Sequence, residues 1–168
     1  MGWNLGDNVV HPQHGPATVG DITMRDIGGG PVEYVTLHVE QNGLTVMVPS
    51  VDLADSVRDP STEAEATKVF DVLAADAPAL PKWQQRRRIN TERLATGGLV
   101  AAAEVVRDLA RLDAARDRPL SHGEKKLYDE ARQLLVSELA ISLGGDEEEL
   151  ARQVEQAALK GAVLPVEQ

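Results

Sequence analysis

The stretch "YVTLHVEQNGLTVMV", residues 34–48, most narrows what this chain can fold into. Val35, Leu37 and Val39 alternate with Tyr34, Thr36 and His38, the two-residue period of a half-buried strand. Asn42-Gly43 is the preferred pair for a two-residue type I′ hairpin turn. Taken literally, that turn sets Gln41 against Leu44, Glu40 against Thr45, Val39 against Val46, His38 against Met47 and Leu37 against Val48. Both strands then bury one face, and Glu40, His38, Thr45 and Met47 lie on the other. Upstream, Val9-Val10 and Ala17 to Ile27 read as further strands, separated by a Pro- and Gly-punctuated loop from His11 to Pro16. "GGGP", residues 28–31, closes a second hairpin. About five short strands in some fifty residues are too few for a sandwich, so a small, strongly curved Tudor/SH3-like β-barrel is expected.

From residue 60 the period changes from two to that of a helix. Thr62 and Glu65 have the spacing of a capping box, and Ala66, Val69, Phe70 and Leu73 make an apolar stripe behind it. "DAPALPKW", residues 76–83, is a proline-marked break. A helix from about Trp83 to Thr96 follows and ends at Gly97-Gly98. Leu99, Ala102, Val106 and Leu109 stripe the next helix. Ser121 and Glu124 suggest a second capping box, opening a helix with Leu127, Ala131, Leu134 and Leu135 inside. Gly144-Gly145 stops it, and Asp146 begins a last helix bearing Leu150, Val154 and Ala157. The reading is an α+β two-domain chain: a barrel over residues 1–52, a linker over 53–62, an all-α helical bundle over 63–162 and a frayed tail over 163–168.

Hydrophobic content of 42% with only 3% aromatics means a core of Val, Leu, Ile and Ala. The chain has no cysteine, no basic-then-apolar leader and no apolar run near the ~20 residues needed to span a bilayer, so a reducing, cytoplasmic setting is expected. Net charge is −10, which argues against non-specific nucleic-acid binding. Its distribution matters more. Residues 1–52 hold six acidic side chains and one base, Arg25, whereas residues 82–132 hold twelve Lys and Arg against eight Asp and Glu. Charge alone does not separate a basic contact surface from a solvated helical face.

"PKWQQRRRIN", residues 81–90, is the odd stretch. Trp83 stands beside Lys82, Arg86, Arg87 and Arg88, in a helix where only Ile89 and Leu94 are obvious core residues. A phosphate-bearing partner with something to stack on would explain it, although a tryptophan is by default a core residue. Trp3 has no such neighbours and is expected to pack the barrel. His11 and His14 lack acidic or Cys partners at ligand spacing, and no nucleophile–base pair stands out, so neither a metal, a cofactor nor catalysis is expected.

Taken together, "GDNVVHPQHGPATV", "EYVTLHV", "LTVMVP", "SVRD", a tryptophan followed by basic residues, "LATG", "AEVVRDL" and "LSHGEKK…ARQLLVSELA" resemble the CarD/CdnL family of bacterial transcription regulators. The similarity runs in order over roughly residues 3–143. It implies a Tudor-like domain that binds the RNA polymerase β subunit and a helical domain that contacts promoter DNA, largely without reading sequence, at the upstream edge of the transcription bubble. Trp83 matches the family's wedge at the duplex–single-strand junction. Arg86 and Arg88 would then hold flanking phosphates, with Arg87 pointing elsewhere on the turn, and Lys125 matches a basic family position. On the barrel, Arg25 matches a family arginine in the polymerase contact, Ile27 neighbours it, and Met47 stands where relatives carry a base. Gln85 likewise replaces a residue that can be basic. The expected protein is a monomer that changes, most simply stabilises, the open complex; an adaptor that binds polymerase or another partner, and whose helices never meet DNA, is the alternative.

Overall fold

The computed structural model describes residues 2–96, 98–115 and 119–161. Its chain divides into two compact units at Pro60/Ser61. The first is a four-stranded antiparallel meander of β1 (Asn8–His11), β2 (Gly15–Asp26), β3 (Pro31–Val39) and β4 (Thr45–Pro49), in spatial order β1-β2-β3-β4. Four strands replace the expected five, and what remains of a fifth is one antiparallel bridge between Val10 and Arg58. The loop expected from His11 to Pro16 is shorter, because β1 runs through His11 and β2 starts at Gly15. An extra residue in β2 at Gly20-Asp21 shifts its register against β3, and such a bulge bends the sheet. The concave face buries Val9, Ala17, Val19, Val35, Leu37, Val39 and Val48, with half-buried Trp3 packed against them. The Trp3 indole N–H donates to Asp59 Oδ1 at 2.7 Å.

The β3–β4 hairpin differs from the two-residue turn. Leu37 pairs with Val46, Val35 with Val48, Thr36 with Met47 and His38 with Thr45. Gly43 alone in the turn adopts a positive φ, +68°, whereas a type I′ turn needs Asn42 there too. Asn42 instead accepts the Leu44 N–H on its Oδ1 at 3.0 Å, and Gly43 N–H donates to Val39 O at 3.0 Å. The slip is two residues, so every side chain keeps its expected face and the core is unchanged.

Of residues 53–62, expected as a linker, 53–60 fall within the first unit. Helix α1 (Leu53–Ser56) follows a single 3₁₀ turn, Leu53 and Val57 enter the barrel core, and Arg58 N–H donates to Val10 O at 3.0 Å.

The second unit contains α2 (Glu63–Ala74), α3 (Trp83–Ala95), α4 (Leu99–Ala115), α5 (His122–Leu143) and α6 (Glu147–Ala158). Thr62 caps α2 with the full capping box to Glu65. Gly144, at φ +73°, ends α5, and Asp146 caps α6. The expected endings at Gly97 and over residues 163–168 lie outside the described residues. Ala66, Val69 and Leu73 of α2, Leu99, Ala102, Ala103, Val105, Val106 and Leu109 of α4, Ala131, Leu135, Val136 and Leu139 of α5, and Leu150, Ala151, Val154, Ala157 and Ala158 of α6 supply one apolar core. Helix α3 gives that core no fully buried apolar side chain; its buried residues are Arg86 and Asn90. Among the described residues no helix is long and apolar enough to cross a membrane.

Candidate nucleic-acid interface

The α2 to α3 connection ends at Pro81, and Trp83 is the first helical residue of α3. Its N-cap, Lys82, makes no side-chain cap, and the first turn holds no acidic residue. A helix N-terminus carries about half a positive charge and free N–H groups, so basic side chains there oppose the dipole and the end favours an anion. Lys82, Arg87 and Arg88 are all exposed at this end.

Trp83 is 44% exposed. Its indole N–H points to Ser121 Oγ at 3.4 Å, which fixes one edge of the ring against the start of α5 and leaves much of the rest in solvent. Ser121 also accepts the Glu124 N–H at 3.3 Å as the N-cap of α5. Arg87, one turn beyond Trp83, lies with its Cζ 5.9 Å from the ring centroid. That is cation–π distance. The guanidinium also covers Gly123, where an added Cβ would sit 3.5 Å from Cζ. Lys125 and Lys126 are exposed on the first turns of α5. The structure thus brings Trp83, Arg87, Arg88 and Lys125 to two neighbouring helix starts.

Two expectations need correction. Arg87 does not point elsewhere; the i, i+4 spacing places it on the tryptophan. Arg86 is only 5% exposed and cannot reach a flanking phosphate. Its Nε donates to Glu124 Oε1 at 2.6 Å and its Nη1 to Pro81 O at 3.0 Å. The second capping box is only half formed: Ser121 accepts the Glu124 N–H, while the Glu124 carboxylate turns to Arg86.

Sequence reasoning missed the polar inner stripe of α3 altogether. Arg86, Asn90 and Arg93 follow the i, i+4, i+7 spacing of a buried face. Arg93 Nη1 donates to Asn90 Oδ1 at 3.2 Å and to Asp108 Oδ2 at 3.1 Å, and its Nη2 pairs with Glu104 at 3.2 Å. On α4, Arg107 and Arg111 donate to Val72 O and Leu73 O, in the last turn of α2, at 3.3 and 2.8 Å. The available signal was a helical spacing of long polar residues facing carboxylates one helix away.

On the barrel, Arg25 and Ile27 are exposed and Met47 is half-buried. Arg25 pairs with Val32 and Met47 with Thr36, so strand alternation puts Arg25 and Met47 on the convex face, opposite the core. Ile27 follows the end of β2 and is 78% exposed. In the loop after β1, His11 Nδ1 accepts the N–H groups of Gln13 and His14, and the two imidazoles lie 4.7 Å apart. Burial, with His14 nearby, holds the His11 pKa below its ordinary value.

Two family models match the chain, the CarD-like/TRCF RID domain over residues 3–60 and the CarD C-terminal domain over residues 68–155. The first ends where the barrel unit ends, and the second contains Trp83, Arg87, Arg88 and Lys125. A Bacillus subtilis (strain 168) protein, YdeB, named as a candidate transcription factor, is 31% identical over 150 residues, covering 88% of this chain and 97% of that one. A formyl-CoA:oxalate CoA-transferase of Streptomyces avermitilis is 28% identical over 114 residues, 62% of this chain and 27% of the enzyme.

Proposed function

We propose a function for a protein that belongs to the CarD family of transcription factors. The barrel binds the RNA polymerase β subunit through its convex face, where Arg25 supplies a charge-assisted contact and Ile27 and Met47 supply apolar area. The helical unit contacts promoter DNA at the upstream edge of the bubble and stabilises the open complex. Trp83 stacks where base stacking has been lost. Arg87 braces the ring, and Arg88 and Lys125 hold phosphates without reading bases.

The observation that carries this reading is the half-exposed Trp83, tethered by its edge at an uncapped, basic helix start. Stacking on a base contributes about 1–3 kcal/mol. A contact made only to melted DNA shifts the closed–open equilibrium, and about 1.4 kcal/mol changes it tenfold. Tethering to polymerase supplies local concentration, which reconciles DNA contact with a net charge of −10. Free DNA binding is therefore weak.

The test is the competitor-challenged lifetime of open complexes formed by the cognate polymerase without protein, with wild type and with Trp83→Ala. Wild type lengthens the lifetime and Trp83→Ala does not, while both bind polymerase equally. A lifetime that wild type leaves unchanged despite polymerase binding would replace this reading with the adaptor.

A further inference from the structure

We infer that the buried Arg86–Glu124 pair is the positioning device of the Trp83 contact, acting through the ring and never touching DNA; this rests on the function proposed above. The two side chains are 6% and 1% exposed and join the first turns of α3 and α5. Arg86 reaches in two directions. Its Nε binds Glu124, and its Nη1 binds the carbonyl of Pro81, two residues before the tryptophan.

The bonds close a circuit. Trp83 N–H donates to Ser121 Oγ, Ser121 Oγ accepts the Glu124 N–H, the Glu124 carboxylate accepts from Arg86, and Arg86 holds Pro81, from which the chain returns to Trp83 through Lys82. The Pro81 bond fixes the backbone entering α3, the Ser121 bond fixes the edge of the indole, and the other two tie both to the start of α5. The exposed ring thus rests on a buried frame.

Stability alone does not account for such a frame. A buried ion pair is often replaceable by apolar residues of similar volume at no loss. Here the remaining atoms, Arg86 Nη2 and Glu124 Oε2, are buried and find no hydrogen-bond partner among the described residues. A partly satisfied polar cluster is a poor stabiliser. What it does supply is direction, because a guanidinium that binds a carboxylate and a carbonyl at once holds two segments at fixed angles.

The experiment uses the full chain with Trp3→Phe, so that Trp83 is its sole indole. Into this background go Arg86→Met with Glu124→Leu, and separately Arg86→Lys, which retains the charge but lacks a second arm for Pro81. Open-complex lifetime and acrylamide quenching of Trp83 are measured for each. The apolar double variant is expected to melt no lower than its parent and to bind polymerase unchanged. Its lifetime extension falls to within about twofold of that left by Trp83→Ala, and its quenching rises. Arg86→Lys shifts both readouts the same way by less, and it carries the test should the double variant not fold. In a Trp83→Ala background the double variant shortens the lifetime no further. Parent-like quenching and lifetime in these variants would overturn the inference, as would an equal loss of lifetime with and without Trp83. If Trp83→Ala itself leaves the lifetime extended, the functional reading fails, and the quenching alone still decides whether the pair holds the ring.

Discussion

Helices α3 and α6 have nearly the same length, 13 and 12 residues, and belong to the same unit, yet they begin in opposite ways. Asp146 caps α6 by accepting the Glu149 N–H, and Glu147, Glu148 and Glu149 fill its first turn. Its inner face is Leu150, Ala151, Val154, Ala157 and Ala158, all buried. Each choice favours the helix itself. Helix α3 has no side-chain cap, no acid in its first turn, a basic start and a buried face made of Arg86 and Asn90. The interior of α3 is made of good helix formers and Arg93 suits its last turn, but its start is not built for helix stability. The contrast teaches that α6 serves the fold, whereas α3 gives up intrinsic stability to present a ring and positive charge at one end.

The contrast breaks most severely if the anchor of α3 is halved. Glu124→Ala leaves Arg86 buried without its partner, which costs about 3–5 kcal/mol, read as a drop in the urea midpoint of the helical unit. On α6, Leu150→Ala removes a side chain that is 6% exposed and lowers stability by about 2–5 kcal/mol. In the folded fraction, that change leaves the open-complex lifetime as wild type gives it. A smaller substitution sharpens the comparison by making α3 more like α6. Gln84→Glu places an acid in the first turn of α3 and stabilises the unit by about 0.3–1 kcal/mol. On the proposed function, the same change shortens the open-complex lifetime, since the added charge would face phosphate. A gain in both stability and lifetime would break the contrast.

The smallest effect lies in the other unit and serves as its control. His11 has a folded pKa below its ordinary value, and its Nδ1 accepts two backbone N–H groups, so the neutral form belongs to the fold. The unfolded chain therefore takes up the proton first as pH falls. This contribution to barrel stability is complete above about pH 6.5 and declines below it. Urea melts of the barrel at pH 7.5 and 5.5 differ in that direction, and His11→Asn flattens the difference.

How much of this was legible follows from what each pattern encodes. Strand alternation reports faces, so the barrel core came through even though the hairpin register was off by two residues. The turn itself was misread because Asn-Gly suits several loops, and only the φ of Asn42 separates them. Residues 53–62 look like a linker because Leu53 and Val57 are isolated apolar positions, and a single bridge between Val10 and Arg58 leaves no periodic trace. At the interface, the clustering of bases around a tryptophan was visible, but its inner and outer halves were not. Arg86, Arg87 and Arg88 are chemically alike in sequence, and only the orientation of the α3 axis against α5 buries the first and exposes the other two. The partner of Arg86 was hidden because Glu124 sits three residues after Ser121, where a capping box explains it equally well.

On the proposed function, Trp83 meets DNA only where the duplex has opened. The most direct measurement of this follows Trp83 emission in the Trp3→Phe chain bound to polymerase, first on a promoter held fully duplex and then on one carrying a preformed bubble. Stacking on an unpaired base predicts quenching on the bubble template and little change on the duplex. Equal emission on both, with polymerase bound throughout, would contradict the account.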